Sequence, residues 1–161
     1  MAEPIKVLFV CLGNICRSPT AQGVFAQKVK EAGLSDRISI DSAGVGHWHV
    51  GKSPDPRAME AASSRGLDLS DQIARTITSE DFGSFDYIMA MDRDNLSELQ
   101  KMAPPETRAE IELFLDYAHH SEEDEVPDPY YGGPNGFERV LNLVSEASDG
   151  LLNHIQNQLG K

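Results

Sequence analysis

Cys11 and Arg17 stand six positions apart in the run Cys11-Leu12-Gly13-Asn14-Ile15-Cys16-Arg17. An apolar β-branched stretch precedes the cysteine, and the pair Ser18-Pro19, a helix-opening signal, follows the arginine. Gly13 and Asn14 tolerate the left-handed backbone that a tight cradle requires. A loop wrapped onto a helix N-terminus aims several backbone N–H groups at one point, and that point suits a tetrahedral dianion. Arg17 adds a planar fork that grips two of the anion's oxygens, a match that lysine lacks. Cys11 would lie beneath the anion in the same positive field, which favours the nucleophilic thiolate. The chemistry these residue types support is phosphoryl transfer through a phosphocysteine. The spacing alone is a weak signal, because a cysteine is as readily a small buried hydrophobe and an arginine a surface ion-pair partner. The strand–loop–helix setting is what makes it specific.

Those flanking elements belong to an alternation that runs along the chain. Ile5 to Val10 reads as a strand buried on both faces. Ser18 reads as the N-cap of a helix whose face holds Ala21, Val24, Phe25, Val29 and Ala32, with Gly33 as its stop. Ile38 to Ser42 is a second strand, and Asp55-Pro56 opens a second helix that ends by Gly66. Phe85 to Met91 is a third strand, followed by a helix capped by Asp92 that carries Leu96, Leu99 and Met102. Ile111 to Leu115 is a fourth strand. The last helix is the most regular, with Phe137, Val140, Leu141, Val144, Leu151, Leu152, Ile155 and Leu159 on one face. Such alternation predicts a three-layer α/β fold around a parallel sheet, with ligands held outside the carboxyl ends of the strands, where the Cys11–Arg17 loop falls. Two long loops stand out. Gly44 to Gly51 carries the only tryptophan, Trp48, and Glu122 to Gly136 is acidic, then rich in Pro, Tyr and Gly.

Composition narrows the partners. The 161 residues carry 14 Lys and Arg against 26 Asp and Glu, a formal net charge of −12. One domain is the expectation at this length. The negative balance disfavours nucleic acid or an anionic membrane as partner, so an anionic substrate must be drawn in by a local positive site. The apolar run Val7–Leu12 is far too short to span a bilayer, and the Met-Ala-Glu-Pro start lacks the pattern of a secretory signal. Two cysteines make no disulfide framework, which points to a soluble, reducing, cytoplasmic setting. His47 with His49, and His119 with His120, lack cysteine or carboxylate ligands at a recognised spacing. They read as surface histidines, and no metal is expected. There is no glycine-rich dinucleotide fingerprint and no Walker lysine.

Several residues carry two readings on chemistry alone. Asp128 is one of five carboxylates between Glu122 and Asp128, a run that suits a solvated loop. Pro127 and Pro129 on either side stiffen its backbone and single it out. Trp48, Tyr130 and Tyr131 are candidate walls for an aromatic ring, and the tyrosines equally suit covering a core. Ser18 suits both a helix cap and a hydroxyl donor to the thiolate.

The run from Val7 through Cys11 and Arg17 to Pro19 resembles the phosphate-binding loop of the low-molecular-weight protein tyrosine phosphatases. Asp128-Pro129-Tyr130-Tyr131-Gly132 resembles that family's general-acid loop, and Asp41-Ser42-Ala43 and Phe85–Asp92 also match its pattern. The resemblance covers the chain as one domain, 1–161. It implies a four-stranded parallel sheet in the order 2-1-3-4 with helices on both faces. It also implies metal-free, cofactor-free hydrolysis of phosphotyrosine in proteins, peptides and small aryl phosphates, with inorganic phosphate as product. On it Cys11 is the nucleophile, Arg17 the phosphate clamp and Asp128 the general acid; should Asp128 fail in that role, Asp92 is the next carboxylate in line. Leu12, Gly13, Asn14, Ile15, Cys16, Ser18, Trp48 and Tyr130 would contact the substrate, and Ser42 would brace Asn14.

Arginine phosphatases of the family tend to carry threonine where Ile15 stands, so Ile15 favours the tyrosine-directed branch. Many members carry a histidine near Ser70, where this chain has Asp71 and Gln72, so the bracing network is expected to be built differently. Cys16, five residues from Cys11, is either a structural thiol or the partner in a protective, reversible disulfide. Arsenate reduction on the same scaffold would need cysteines beyond Cys16 to pass a disulfide outward, and a silent phosphate-binding module would need neither nucleophile nor acid.

Overall fold

Strand β1 (Ile5–Cys11) is buried on both faces from Val7 onward, as its unbroken apolar sequence dictates. In this computed structural model, which describes residues 3–118, 123–129 and 135–160, its side chains divide between two cores by strict alternation. Val7 and Phe9 join Val24, Phe25, Val140 and Val144 on one face of the sheet, while Leu8 and Val10 join Phe82, Ile88 and Leu99 on the other. The Phe9 ring stands edge-on to Phe25 at 5.6 Å and to Phe114 at 4.9 Å, locking the centre of the first core.

The remaining elements follow in chain order. Helix α1 is Arg17–Glu31, β2 is Ile38–Gly44, α2 is Pro56–Ser63 and α3 is a short turn of helix, Asp81–Ser84. Then come β3 (Tyr87–Ala90), α4 (Arg93–Met102), β4 (Glu110–Leu113) and the long α5 (Asn135–Leu159). All pairings are parallel and the strand order is β2-β1-β3-β4, with Cys11 opposite Gly44 at the sheet's carboxyl edge. The expected 2-1-3-4 sheet with helices on both faces is therefore the observed one. No helix of the described residues is long and apolar enough to cross a membrane.

Several element boundaries differ from the expectation. Ser18 is not the N-cap of α1. Cys16 holds that position, no side chain caps it, and Ser18 is the second helical residue with its hydroxyl turned inward to Cys11. Ala32, expected on the apolar face, lies exposed at the end of α1, where Gly33 takes φ 73° and turns the chain. Phe85 belongs to the end of α3 rather than to β3, which starts only at Tyr87. Strand β4 stops at Leu113, and Phe114–Tyr117 forms a 3₁₀ turn. The reason is packing. Phe114 and Leu115 are consecutive yet both enter the core beneath α5, which a period-2 strand forbids. Asp55 and Asp92 cap α2 and α4 as expected, accepting from the amides of Arg57 at 2.8 Å and Asn95 at 2.7 Å.

Candidate active site

Cys11 ends β1 at the sheet's carboxyl edge, and the chain then turns sharply into α1. Two backbone bonds pin the turn to the strand beside it, Val45 N–H to Cys11 O at 3.0 Å and Gly46 N–H to Leu12 O at 2.9 Å. Gly44 allows that approach, since a Cβ there would lie 2.8 Å from the Leu12 carbonyl oxygen. Asn14 takes the left-handed φ of 59° that its position in the loop anticipates.

The Asn14 side chain is the bracket of the loop. Its amide donates to Ser18 Oγ at 2.8 Å and to Ser42 Oγ at 2.9 Å, while its Oδ1 accepts the Arg75 N–H at 3.0 Å. Ser42 in turn donates to Gln22 Oε1 at 2.6 Å. Ser42 is thus hydrogen-bonded to Asn14, the partner that the family resemblance implied. Ser18 Oγ lies 3.0 Å from Cys11 Sγ, where either atom can donate to the other, and 3.5 Å from Ala43 O. The Asn14 N–H also faces that sulfur at 3.3 Å. A thiolate at this position would accept from both the Asn14 amide and the Ser18 hydroxyl. The side chains of Asn14 and Ser18 are buried behind the loop, so they shape it rather than wall the cavity.

Arg17 is buried, with Nη1 donating to Asp92 Oδ2 at 2.6 Å and to Val126 O at 3.1 Å. Burial works against its charge, but Cys11, the Asp92 hydrogen bond and the Asp92 and Asp128 charges outweigh it. The guanidinium is held above its ordinary value. Asp92 has both oxygens engaged, one on Arg17 and one on the amide of Asn95 at the start of α4. That double commitment makes Asp92 an orienting group for Arg17. Asp128 Oδ2 lies 3.8 Å from Arg17 Nη2, at the end of a segment anchored by Val126 N–H to Met91 O at 2.7 Å.

A cavity of about 330 Å³ opens over Cys11 and Arg17, walled by Leu12, Gly13, Ile15, Cys16, Trp48, His49 and Asp128. The parallel sheet order creates it. The ends of β2, β1 and β3 lie side by side, so the loop after β2 and the segment docked on β3 face each other across Cys11. Trp48 is at the mouth as expected, its ring stacked on His47 at 5.9 Å and laid over Gly46, where any Cβ would overlap it. His49 is not the plain surface histidine anticipated. It is half-buried against Gly13 and lines the cavity. Cys16 is buried, and burial first, then the Asp55, Cys11 and Asp128 charges, push its thiol well above the ordinary range. Tyr130, Tyr131, His119 and His120 lie outside the described residues.

The place of the expected histidine near Ser70 is filled differently. Gln72 donates its amide to Pro19 O at 3.0 Å, while the Arg75 amide holds Asn14. The Arg75 side chain is itself fixed between Asp41 at 3.1 Å and Asp81 at 3.0 Å. Sequence reading missed Gln22, Arg75 and the orienting role of Asp92. Asp92 closes the Phe85–Asp92 stretch, and it and Arg75 are brought to the loop by the fold, whereas Gln22 reaches it from α1 through Ser42.

The family model described as low molecular weight phosphotyrosine protein phosphatase matches residues 6–161. A relative from Schizosaccharomyces pombe, named a low molecular weight phosphotyrosine protein phosphatase, is 49% identical over 138 residues, covering 85% of this chain and 88% of its own. The crystal structure of a protein tyrosine phosphatase from Entamoeba histolytica superposes with a TM-score of 0.92 at 40% identity, covering 96% of this chain and 98% of the other. A Drosophila arginine phosphatase superposes with a TM-score of 0.89 at 37% identity, covering 94% and 98%. A match across nearly the whole length, joined to the Cys11–Arg17 loop and its bracing, places this chain in the low-molecular-weight phosphotyrosine protein phosphatase family.

Proposed function

We propose that the chain hydrolyses phosphotyrosine monoesters through a phosphocysteine intermediate. The observation that carries this is the Cys11 sulfur, approached by the Ser18 hydroxyl and the Asn14 amide, with Arg17 and Asp128 facing the same cavity. The Cys11 thiolate attacks phosphorus in line. A P–S bond forms, the P–O bond to the ring breaks, and Asp128 protonates the departing phenolate oxygen. Arg17 and the loop amides hold the equatorial oxygens as charge spreads over them. In the second step the Asp128 carboxylate takes a proton from water, whose oxygen attacks phosphorus. The S–P bond breaks, and the thiolate leaves toward the Ser18 hydroxyl. Inorganic phosphate is released. A reducing cytoplasm fits this reading, since the nucleophile must stay a thiol.

Trp48 and Ile15 in the cavity wall suit an aromatic ring above the phosphate. The similarity to an arginine phosphatase supports a second reading, phosphoarginine hydrolysis by the same loop. Turnover of matched phosphotyrosine, phosphoserine and phosphoarginine peptides in the presence of chelator separates them. Phosphotyrosine should dominate in kcat/KM, with the rate unchanged by chelator. A phosphoarginine rate equal to or above it would reassign the substrate.

The two thiols line one cavity, which suits a reversible Cys11–Cys16 disulfide. With its pKa raised, Cys16 stays protonated, so oxidation should begin at Cys11 and Cys16 should then close on the sulfenic acid. Mild peroxide should inactivate the wild-type chain, and dithiothreitol should restore it. Cys16→Ala should keep activity but recover poorly, and equal recovery would leave Cys16 a purely structural thiol.

A further inference from the structure

Asp128 stands at the end of a segment that burial does little to hold. Of residues 123–128 only Val126 is buried. Glu123, Asp124 and Glu125 are consecutive carboxylates, whose mutual repulsion drives the segment away from the body of the chain unless cations hold it. Two do. Arg139 of α5 pairs with Glu123, and Arg93 of α4 pairs with Asp124.

Arg93 holds more than one group. It is the first residue of α4, where the backbone N–H has no partner within the helix. That N–H donates to Glu125 Oε2 at 2.8 Å. The guanidinium meets Asp124 as a two-pronged fork, Nη1 donating to Oδ1 at 3.0 Å and Nη2 to the other oxygen. Nη1 also stands 4.0 Å from Glu125 Oε1. Arg93 completes a run of three neighbours at the junction of β3 and α4. Met91 O accepts the Val126 N–H at 2.7 Å, and Asp92 accepts from Arg17 Nη1 at 2.6 Å. The same Nη1 donates to Val126 O at 3.1 Å. One short stretch of backbone therefore carries both the arginine of the loop and the segment that ends in Asp128.

We propose that Arg93 is a positioning residue for the acid step, tying Asp124 and Glu125 to the start of α4 and so setting where Asp128 stands relative to Arg17. The assignment rests on the reading of Asp128 as general acid. Arg93 is exposed and does not line the cavity, so it acts through the segment alone. Pro127 and Pro129 stiffen the backbone on either side of Asp128, so a shift at Glu125 is passed on rather than absorbed. An exposed ion pair adds little to fold stability, so the effect of losing it falls on rate rather than on melting temperature. Asp124→Ala is the milder change, because it removes a charge from the cluster and leaves Arg93 to Glu125.

The test is Arg93→Glu. Glutamate suits the first turn of a helix, so α4 keeps its start while a further carboxylate is set against Asp124 and Glu125. On a phosphotyrosine peptide kcat/KM should fall roughly tenfold, a part of the 10²–10⁴ that a general acid contributes. On dinitrophenyl phosphate, whose phenolate departs unassisted, the fall should be less than about twofold. Competitive inhibition by inorganic phosphate should be unchanged, since Arg17 keeps Asp92, and this also reports intact folding. The charge swap R93E/D124R should recover most of the lost rate. Placed in an Asp128→Ala background, R93E should lower the peptide rate no further. Wild-type turnover by R93E, equal losses on the two substrates, or a loss undiminished in the Asp128→Ala background overturns the proposal. Wild-type peptide turnover by Asp128→Ala alone would show instead that the acid reading has failed, and the role of Arg93 with it.

Discussion

Cys11→Ser should lower turnover of a phosphotyrosine peptide by more than about 10⁴-fold while leaving phosphate bound in the loop. Serine is nearly isosteric and keeps a hydrogen-bonding atom for Ser18 and for the Asn14 amide, which now sit 3.0 and 3.3 Å from the sulfur. The bracing by Asn14, Ser42, Gln22 and Arg75 does not pass through Cys11, so the loop should hold its shape. What is lost is the anionic nucleophile. A serine hydroxyl does not ionise in this field as a thiol does, and a loss of that size corresponds to about 5 kcal/mol of barrier. Steady-state kinetics together with calorimetric titration of phosphate into the variant check both halves. Hydrolysis within a hundredfold of wild type would remove the covalent intermediate from the scheme.

Asp128→Ala should cost roughly 10²–10⁴ in turnover on phosphotyrosine, whose phenolate leaves poorly without a proton. The loss should shrink on aryl phosphates of strongly acidic phenols, because their oxygens depart unassisted. Geometry separates Asp128 from its acidic neighbours. Asp128 lines the cavity near Arg17, whereas Asp124 is paired with Arg93, which holds the Asp124 carboxyl below the ordinary range. Asp124→Ala is therefore expected to change little. Plotting rate against leaving-group acidity for wild type and Asp128→Ala decides the matter. A steeper dependence in the variant supports the acid role, and parallel lines would move it to another carboxylate.

Much of the site was legible because it is continuous in the chain. From Cys11 to Arg17 the proposed nucleophile, the turn residue Asn14 and the proposed anion clamp follow one another, and residue type with spacing suffices to suggest them. The flanking apolar run and the helix that ends at Gly33 are local patterns of the same kind, set by side-chain period and backbone preference. Asp128 was half legible. Its flanking prolines marked it, but only the family resemblance lifted it out of an acidic run. Other features had no local signal. Ser18 read both as a cap and as a hydroxyl for the thiolate, and the cap reading fails because the helix begins at Arg17, two residues earlier than a Ser18 cap requires. His49 looked like a surface residue and lies against Gly13. Arg75, Gln22 and Asp92 reach the loop through Asn14, Ser42 and Arg17, partners 61, 20 and 75 positions away in sequence. The sequence by itself determined which atoms could attack, grip and protonate, since those follow from side-chain chemistry. Only the tertiary structure decided what holds them in place. The order β2-β1-β3-β4 sets the ends of distant strands beside Cys11, and a parallel sheet joins neighbours that are far apart along the chain.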